Sequence, residues 1–170
     1  MKNFNFTKCL KDLFNLNRSI TGKDTLKTLN NFKEINKDLK IIKFKSGSNV
    51  FDWKIPLEWN VKDAFIKHLK TNKKFAEFKK NNLHLVGYSI PVKKHVSKKE
   101  LFKNLYYLEK QPKAIPYITS YYQKRWGFCI SYSQYQSFDK KYLPNDRFQI
   151  VIKSNLNKKG CMNYGELILK

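Results

Sequence analysis

Between Phe6 and Leu16 the side chains Cys9, Leu10, Leu13 and Phe14 recur at helical spacing, which predicts a short amphipathic helix ending near Asn17. Thr21 and Asp24 then stand as the two ends of a capping box, with Asp replacing the usual Glu, and Leu26, Leu29, Phe32 and Ile35 follow in near-helical steps. A second helix over about residues 23–36 is the reading. Leu39 to Phe44 is rich in branched and aromatic residues and closes on Ser46-Gly47-Ser48, so it predicts a strand. From Asn49 the pattern shortens: Val50 to Trp53 and Val61 to Ile66 predict aromatic strands broken by turns, and Leu83 to Tyr88 a further strand. Ser97 followed by Glu100 predicts a capped helix that carries Leu101, Phe102 and Leu105. Tyr117 to Tyr122 is β-prone or a short aromatic helix, whereas Gly127 to Ile130, Phe148 to Ile152 and Tyr164 to Leu169 all read as strands. The sum is an α+β chain.

Length and composition narrow this picture. At 170 residues, 41% of them hydrophobic and with 13 Phe, 10 Tyr and 3 Trp, the chain has enough apolar material for one core and part of another. The formal charge of +22 invites a nucleic-acid reading, yet only Arg18, Arg125 and Arg147 among the 35 basic residues are arginines. Abundant Lys, Asn, Ile and Phe with scarce Gly and Pro is the bias of an AT-rich genome, and the lysines are dispersed in short clusters rather than gathered in a tail. Nonspecific nucleic-acid binding is therefore the last of the partner readings. Cys9, Cys129 and Cys161 are far apart and odd in number, which fits reduced thiols in a cytoplasmic protein. Neither a leader-like apolar segment nor a membrane-length run stands in the sequence.

Candidate chemistry is sparse. His68, His84 and His95 show no metal-ligand spacing; His84 falls inside an expected strand, and His68 and His95 fall among lysines, where solvent exposure is expected. A Cys129–His84 pair is the one nucleophile arrangement open to the chain, and nothing local activates that thiol. The richest recognition segment runs from Pro116 to Cys129. Its Tyr121, Tyr122, Arg125 and Trp126 combine a guanidinium fork with stacking faces, which suits a ligand cleft; packing into a core is the competing reading.

Seven ordered stretches carry a resemblance: Leu13 to Gly22, Ser46 to Trp53, Pro56 to Asn60, Asn82 to Pro91, Ala114 to Tyr122, Arg125 to Cys129 and Tyr164 to Leu169. Together they resemble a bacterial and archaeal family with a zinc-aminopeptidase-like domain, often encoded near surface-polysaccharide biosynthesis genes. Asn15 departs from the proline usual there. The resemblance implies that residues 1–48 open an aminopeptidase-like α/β sheet. Residues 49–160 would form an inserted α+β domain of unknown function, and residues 161–170 a strand returning to the first, incomplete sheet. It also implies that zinc belongs to the complete family member and that its ligands follow the last strand, so no metal, cofactor or catalytic residue is expected in this chain.

The first functional expectation is thus an aminopeptidase-like protein's N-terminal part, inactive alone, completed by a missing C-terminal part or by self-association. The alternative is a free-standing module that binds a sugar or peptide through Arg125 and Trp126.

Overall fold

The computed structural model describes residues 5–169. The chain divides into two compact units: one reaches Asn60 and resumes at Leu156, and the other is Val61–Asn155.

In the first unit, α1 (Phe6–Phe14) is capped by Asn5, whose side chain accepts from the Lys8 N–H, and α2 (Lys23–Ile35) follows. The expected capping box on α2 is absent. Its N-cap is Gly22, at φ +112°, where an added Cβ would lie 2.6 Å from the Trp59 carbonyl oxygen. Thr21 is fully buried instead: its hydroxyl donates to the Leu57 carbonyl (3.2 Å) and accepts from the Trp59 N–H (3.0 Å). Asp24 accepts from the Asn17 N–H at 2.8 Å. The tertiary demand for these two polar groups has overridden the local cap.

Strand β1 (Lys40–Lys45) pairs antiparallel with β10 (Cys161–Glu166), from Lys40 opposite Glu166 to Lys45 opposite Cys161. The last strand thus pairs with the first, and it is set earlier than the expected Tyr164 to Leu169. A small hairpin of β2 (Asn49–Val50) and β3 (Trp53–Lys54) follows β1, and the Gly47 N–H donates to Ile55 O at 2.8 Å. That bond, with the Trp59–Thr21 bond, keeps residues 49–60 in this unit, whereas the family resemblance implies a division near residue 48.

The four-stranded sheet has the order β5-β4-β9-β6, built from β4 (Glu58–His68), β5 (Lys74–Phe75), β6 (Val92–Ser97) and β9 (Arg147–Asn157), and the second unit holds β5, β6, β4 from Val61 onward and β9 up to Asn155. β6 and β9 are antiparallel, with Val92 opposite Ile152 and Val96 opposite Phe148. Inward positions along β4 alternate as a strand with one buried face requires: Ala64, Ile66 and His68 are buried. They share the core with Val96, Leu101, Phe148 and Ile150. At about 25 cal/mol per Å² of apolar surface, each such side chain contributes roughly 1.5–3 kcal/mol before the loss of its entropy.

Two further helices belong to this unit. Ser97 caps α3 (Lys98–Phe102) as expected, but Leu105 lies beyond it in β7 (Leu105–Tyr106), which pairs parallel with β8 (Phe128–Cys129). α4 (Tyr132–Lys141) has no counterpart among the elements expected from the sequence. It opens on a complete capping box of Ser131 and Gln134. It ends on Lys98, whose Nζ donates to the Asp139 and Tyr142 carbonyls and sits 2.7 Å from the Asp139 carboxylate, a cation where the helix dipole is negative. Leu83 to Tyr88 is not a strand. Asn82–His84 forms a single 3-10 turn, and the buried run after it makes isolated bridges from Leu85 to Phe128 and from Gly87 to Thr119. Tyr117 to Tyr122 also lacks regular structure; Tyr121 takes φ +37°.

Candidate functional site

α4 presents two faces. Tyr132 and Tyr135 pack at a tilt against Tyr107, the Tyr107 and Tyr135 centroids 4.2 Å apart, while Ser133, Gln134, Ser137, Phe138 and Lys141 recur on the other side. That second face lines an open cleft of about 580 Å³. β5 supplies a facing wall through Lys74 and Phe75, continued by Lys73 and Glu77. The aromatic lining is anchored from behind: Phe148, fully buried, lies 5.1 Å from Phe138 and 6.2 Å from Phe75 between ring centroids.

His84 lines the same cleft. Its Nδ1 is 2.8 Å from the Cys129 carbonyl oxygen, which can only accept, so Nδ1 carries the proton and Nε2 is left as an acceptor. Burial lowers the His84 pKa, against smaller opposing effects of the Cys129 carbonyl and the Glu77 charge, and so favours the neutral ring. The possible Cys129–His84 nucleophile is thereby ruled out as a thiol–imidazole pair: the histidine meets the backbone of Cys129, and burial pushes the thiol up to about 12.

The expectation that His68 is solvated is also corrected. His68 is 3% exposed, with Nδ1 2.8 Å from the Thr71 hydroxyl and Nε2 3.4 Å from an Asp146 carboxylate oxygen. Its ring packs against Tyr142 and Phe148 at 4.6 and 5.3 Å. It ties the β4–β5 hairpin to the turn before β9; the alternation through Ala64 and Ile66 was the available signal. Asp146 is held below the usual carboxylate range, first by the Leu143 N–H and then by His68. His95 is exposed, as expected.

The segment singled out for recognition has a different character. Arg125 donates from Nη2 to the Thr119 carbonyl at 2.8 Å, its guanidinium lies 5.9 Å from the Tyr106 ring centre, and its Nε is buried without a hydrogen-bond partner. Trp126 is half-buried under Lys94, whose Nζ is 4.9 Å from the ring centre. Tyr121 and Tyr122 are 37% and 59% exposed, and Tyr121 stacks edge-on with buried Tyr88. Beside them Tyr117 is exposed, its phenol pushed up by desolvation and by Tyr121. These residues share one loop, but the sequence reading missed the α4 cleft altogether. The overlooked signal was Ser131-Tyr-Ser-Gln134, a capping box, followed by Tyr135, Phe138 and Tyr142 at helical spacing.

Among the described residues no group of three or more His, Cys, Asp or Glu side chains could hold a metal ion. No helix of the described residues is long and apolar enough to cross a membrane.

Comparison with known proteins matches these units to named relatives. The chain is 39% identical over 161 residues to a Clostridium acetobutylicum protein named "Putative polysaccharide biosynthesis protein with aminopeptidase-like domain"; the match covers 95% of this chain and 35% of the relative. It also superposes on a crystal structure of a "putative peptidase" from Clostridium acetobutylicum with a TM-score of 0.83 and 38% identity, over 93% of this chain and 36% of that one. The chain thus spans about a third of the length of the relatives it matches. Residues 58–155, which take in the whole second unit and its cleft, match the family described as "Domain of unknown function (DUF2172)", and the chain belongs to that family.

Proposed function

We propose that this chain supplies scaffold and substrate access to an aminopeptidase-like protein of polysaccharide biosynthesis and does not itself hydrolyse peptides. The observation that carries this reading is the extent of the match. Identity of 39% runs through both units, yet reaches only 35% of a relative whose name joins polysaccharide biosynthesis to an aminopeptidase-like domain. The pairing of β1 with β10 supports the arrangement, since the chain leaves the first unit at Asn60, builds the DUF2172 unit, and returns at Leu156. In this reading the first unit is the front of the aminopeptidase-like domain, the second is the insert that shapes access, and zinc chemistry belongs to residues other than these. A further part of such a protein, or a second copy, completes the first unit, and the free Cys9, Cys129 and Cys161 suit a cytoplasmic setting.

The test is elemental analysis of the dialysed chain together with a chromogenic aminopeptidase assay. No stoichiometric zinc and no turnover are expected; one tightly held zinc per chain, or hydrolysis above the buffer rate, overturns the proposal.

A second reading, a binding module acting through the Arg125 loop, is favoured by one feature: Tyr117 and Tyr122 are 61% and 59% exposed beside a partly committed arginine. Saturable binding of a peptide or sugar that Arg125→Lys weakens, with the melting temperature unchanged, is what this alternative requires.

A further inference from the structure

The cleft between α4 and β5 has the chemistry of a small-molecule site, and its charge is not balanced. Its volume, about 580 Å³, falls within the roughly 300–1,000 Å³ typical of such sites. Lys73, Lys74, Lys80 and Lys141 line it, against one carboxylate, Glu77. Glu77 is already engaged by Lys80 at 2.6 Å. The other three ammonium groups have no carboxylate within ion-pair distance among the described residues. Lys141 Nζ is 5.6 Å from the centre of Tyr142, which lines the cleft, whereas Lys74 Nζ lies 4.3 Å from Phe65, on the sheet face opposite Phe75 and outside the cleft, which leaves Lys73 and Lys141 as its unpaired cations. Lysines are common all over this chain, so their number alone would carry nothing. What distinguishes Lys73 and Lys141 is that they line one cleft with Phe75, Phe138 and a buried imidazole.

The polar groups specify more than a negative charge. His84 has committed Nδ1 to a backbone carbonyl and retains Nε2 as an acceptor, which an anion would not satisfy but a hydroxyl would. On α4, Ser133 and Ser137 have given their protons to the Pro112 and Ser133 carbonyls, so their oxygens are likewise left to accept. Gln134 has placed Oε1 on the Ser131 N–H and keeps its amide donors. A ligand for this cleft thus carries hydroxyl donors for the acceptors, an apolar ring face for Phe75 and Phe138, and an anionic group for the lysines.

We propose that the α4–β5 cleft of the DUF2172 unit binds an acidic sugar, a hydroxylated saturated ring bearing a carboxylate or phosphate. This goes beyond the scaffold reading above and does not depend on it, since the cleft lies wholly within the second unit.

The experiment is isothermal titration of the full chain with galacturonate and with glucose 1-phosphate, and with glucose, inorganic phosphate and phenylacetate as controls. At least one acidic sugar should bind saturably, about tenfold or more tightly than all three controls. Preference for galacturonate or for glucose 1-phosphate identifies the anion as carboxylate or phosphate, and either preference supports the site. Lys141→Met should weaken binding about tenfold or more, and Ser137→Trp, which places an indole in the cleft from an exposed helical position, should abolish it with circular dichroism unchanged. Lys124→Met, an exposed lysine outside the cleft, should have no effect.

Glucose binding as well as galacturonate would remove the anion requirement, and phenylacetate binding as well would remove the hydroxyl requirement. Inorganic phosphate matching glucose 1-phosphate would remove the ring. Any of these, an equal loss from Lys124→Met and Lys141→Met, or no saturable binding at millimolar ligand, overturns the proposal. Zinc and peptidase activity do not enter these readouts, so failure here is distinguishable from failure of the scaffold reading.

Discussion

Two surfaces of the DUF2172 unit compete for the role of ligand site, and they differ in what their polar groups are doing. Around Arg125 the guanidinium donates to the Thr119 carbonyl and leaves its Nε buried without a hydrogen-bond partner, Trp126 lies under Lys94, and Lys94 itself is held by Glu100 at 2.6 Å. Around α4, Lys73 and Lys141 lack a carboxylate partner among the described residues, and His84 keeps an open acceptor. A concentration of rare, chemically versatile residues in sequence marks the first; convergence of uncommitted groups from α4, β5 and the 3-10 turn marks the second. Folding consumes most polar groups of a segment for its own hydrogen bonds, so those left over after folding are the better guide to a ligand.

The largest effect is expected from behind the cleft. Phe148 is fully buried against Phe75, Phe138 and Tyr142, so Phe148→Ala should cost about 3–5 kcal/mol in urea denaturation and remove the cleft with the fold. A loss under about 1 kcal/mol would mean that the aromatic lining is not part of the core.

Gly127, next to Trp126, provides the corresponding test of the loop. A Cβ there would stand 2.7 Å from the Tyr106 ring, 3.0 Å from Cγ2 of buried Val86 and 3.2 Å from the Asn104 carbonyl oxygen, so Gly127→Ala should cost about 1–3 kcal/mol. Thermal unfolding checks it. An unchanged melting temperature would show a looser loop, with more freedom to meet a ligand.

Arg125→Lys comes next, at about 1 kcal/mol, because lysine keeps the charge but loses the Nη2 donor to the Thr119 carbonyl. The expected outcome is a lowered melting temperature with acidic-sugar binding intact per folded molecule. Weakened binding at unchanged stability would transfer the site to the loop.

The smallest effect is a slope. Burial holds the folded His84 pKa below its ordinary value of 6.5, so between the two values the unfolded chain binds more protons than the folded one. The neutral ring's contribution to stability is present above pH 6.5 and is lost as pH falls from there through the folded pKa. His84→Gln should flatten that part of a stability–pH curve; an unaltered curve would show that His84 is not held neutral by burial.

Much of the first unit was legible because its signals are local. Leu13 and the side chains around it have helical spacing, and the β-rich run to Phe44 is closed by Ser46-Gly47-Ser48. Thr21 was misread where a distant demand, the Leu57 and Trp59 backbone, outbid a local cap. The strand expected at Leu83 to Tyr88 failed for a related reason: its apolar residues are buried by β8 and the Thr119 segment through single bridges, and burial without a ladder leaves no strand. The cleft was illegible as a site because its walls come from residues about 60 positions apart in sequence, Lys74 and Gln134 among them. Even so, the helix that forms one wall announced itself through Ser131 and Gln134.

The central claim, that ligand recognition lies in the α4–β5 cleft rather than at the Arg125 loop, is tested most directly by titrating galacturonate into the isotopically labelled full chain and following backbone amides and tryptophan indoles by NMR. Shifts are expected to concentrate at Ser133 to Lys141, at Lys73 to Glu77 and at the His84 amide, with the Trp126 indole unmoved. Shifts concentrated at Thr119 to Trp126, with α4 silent, would contradict it.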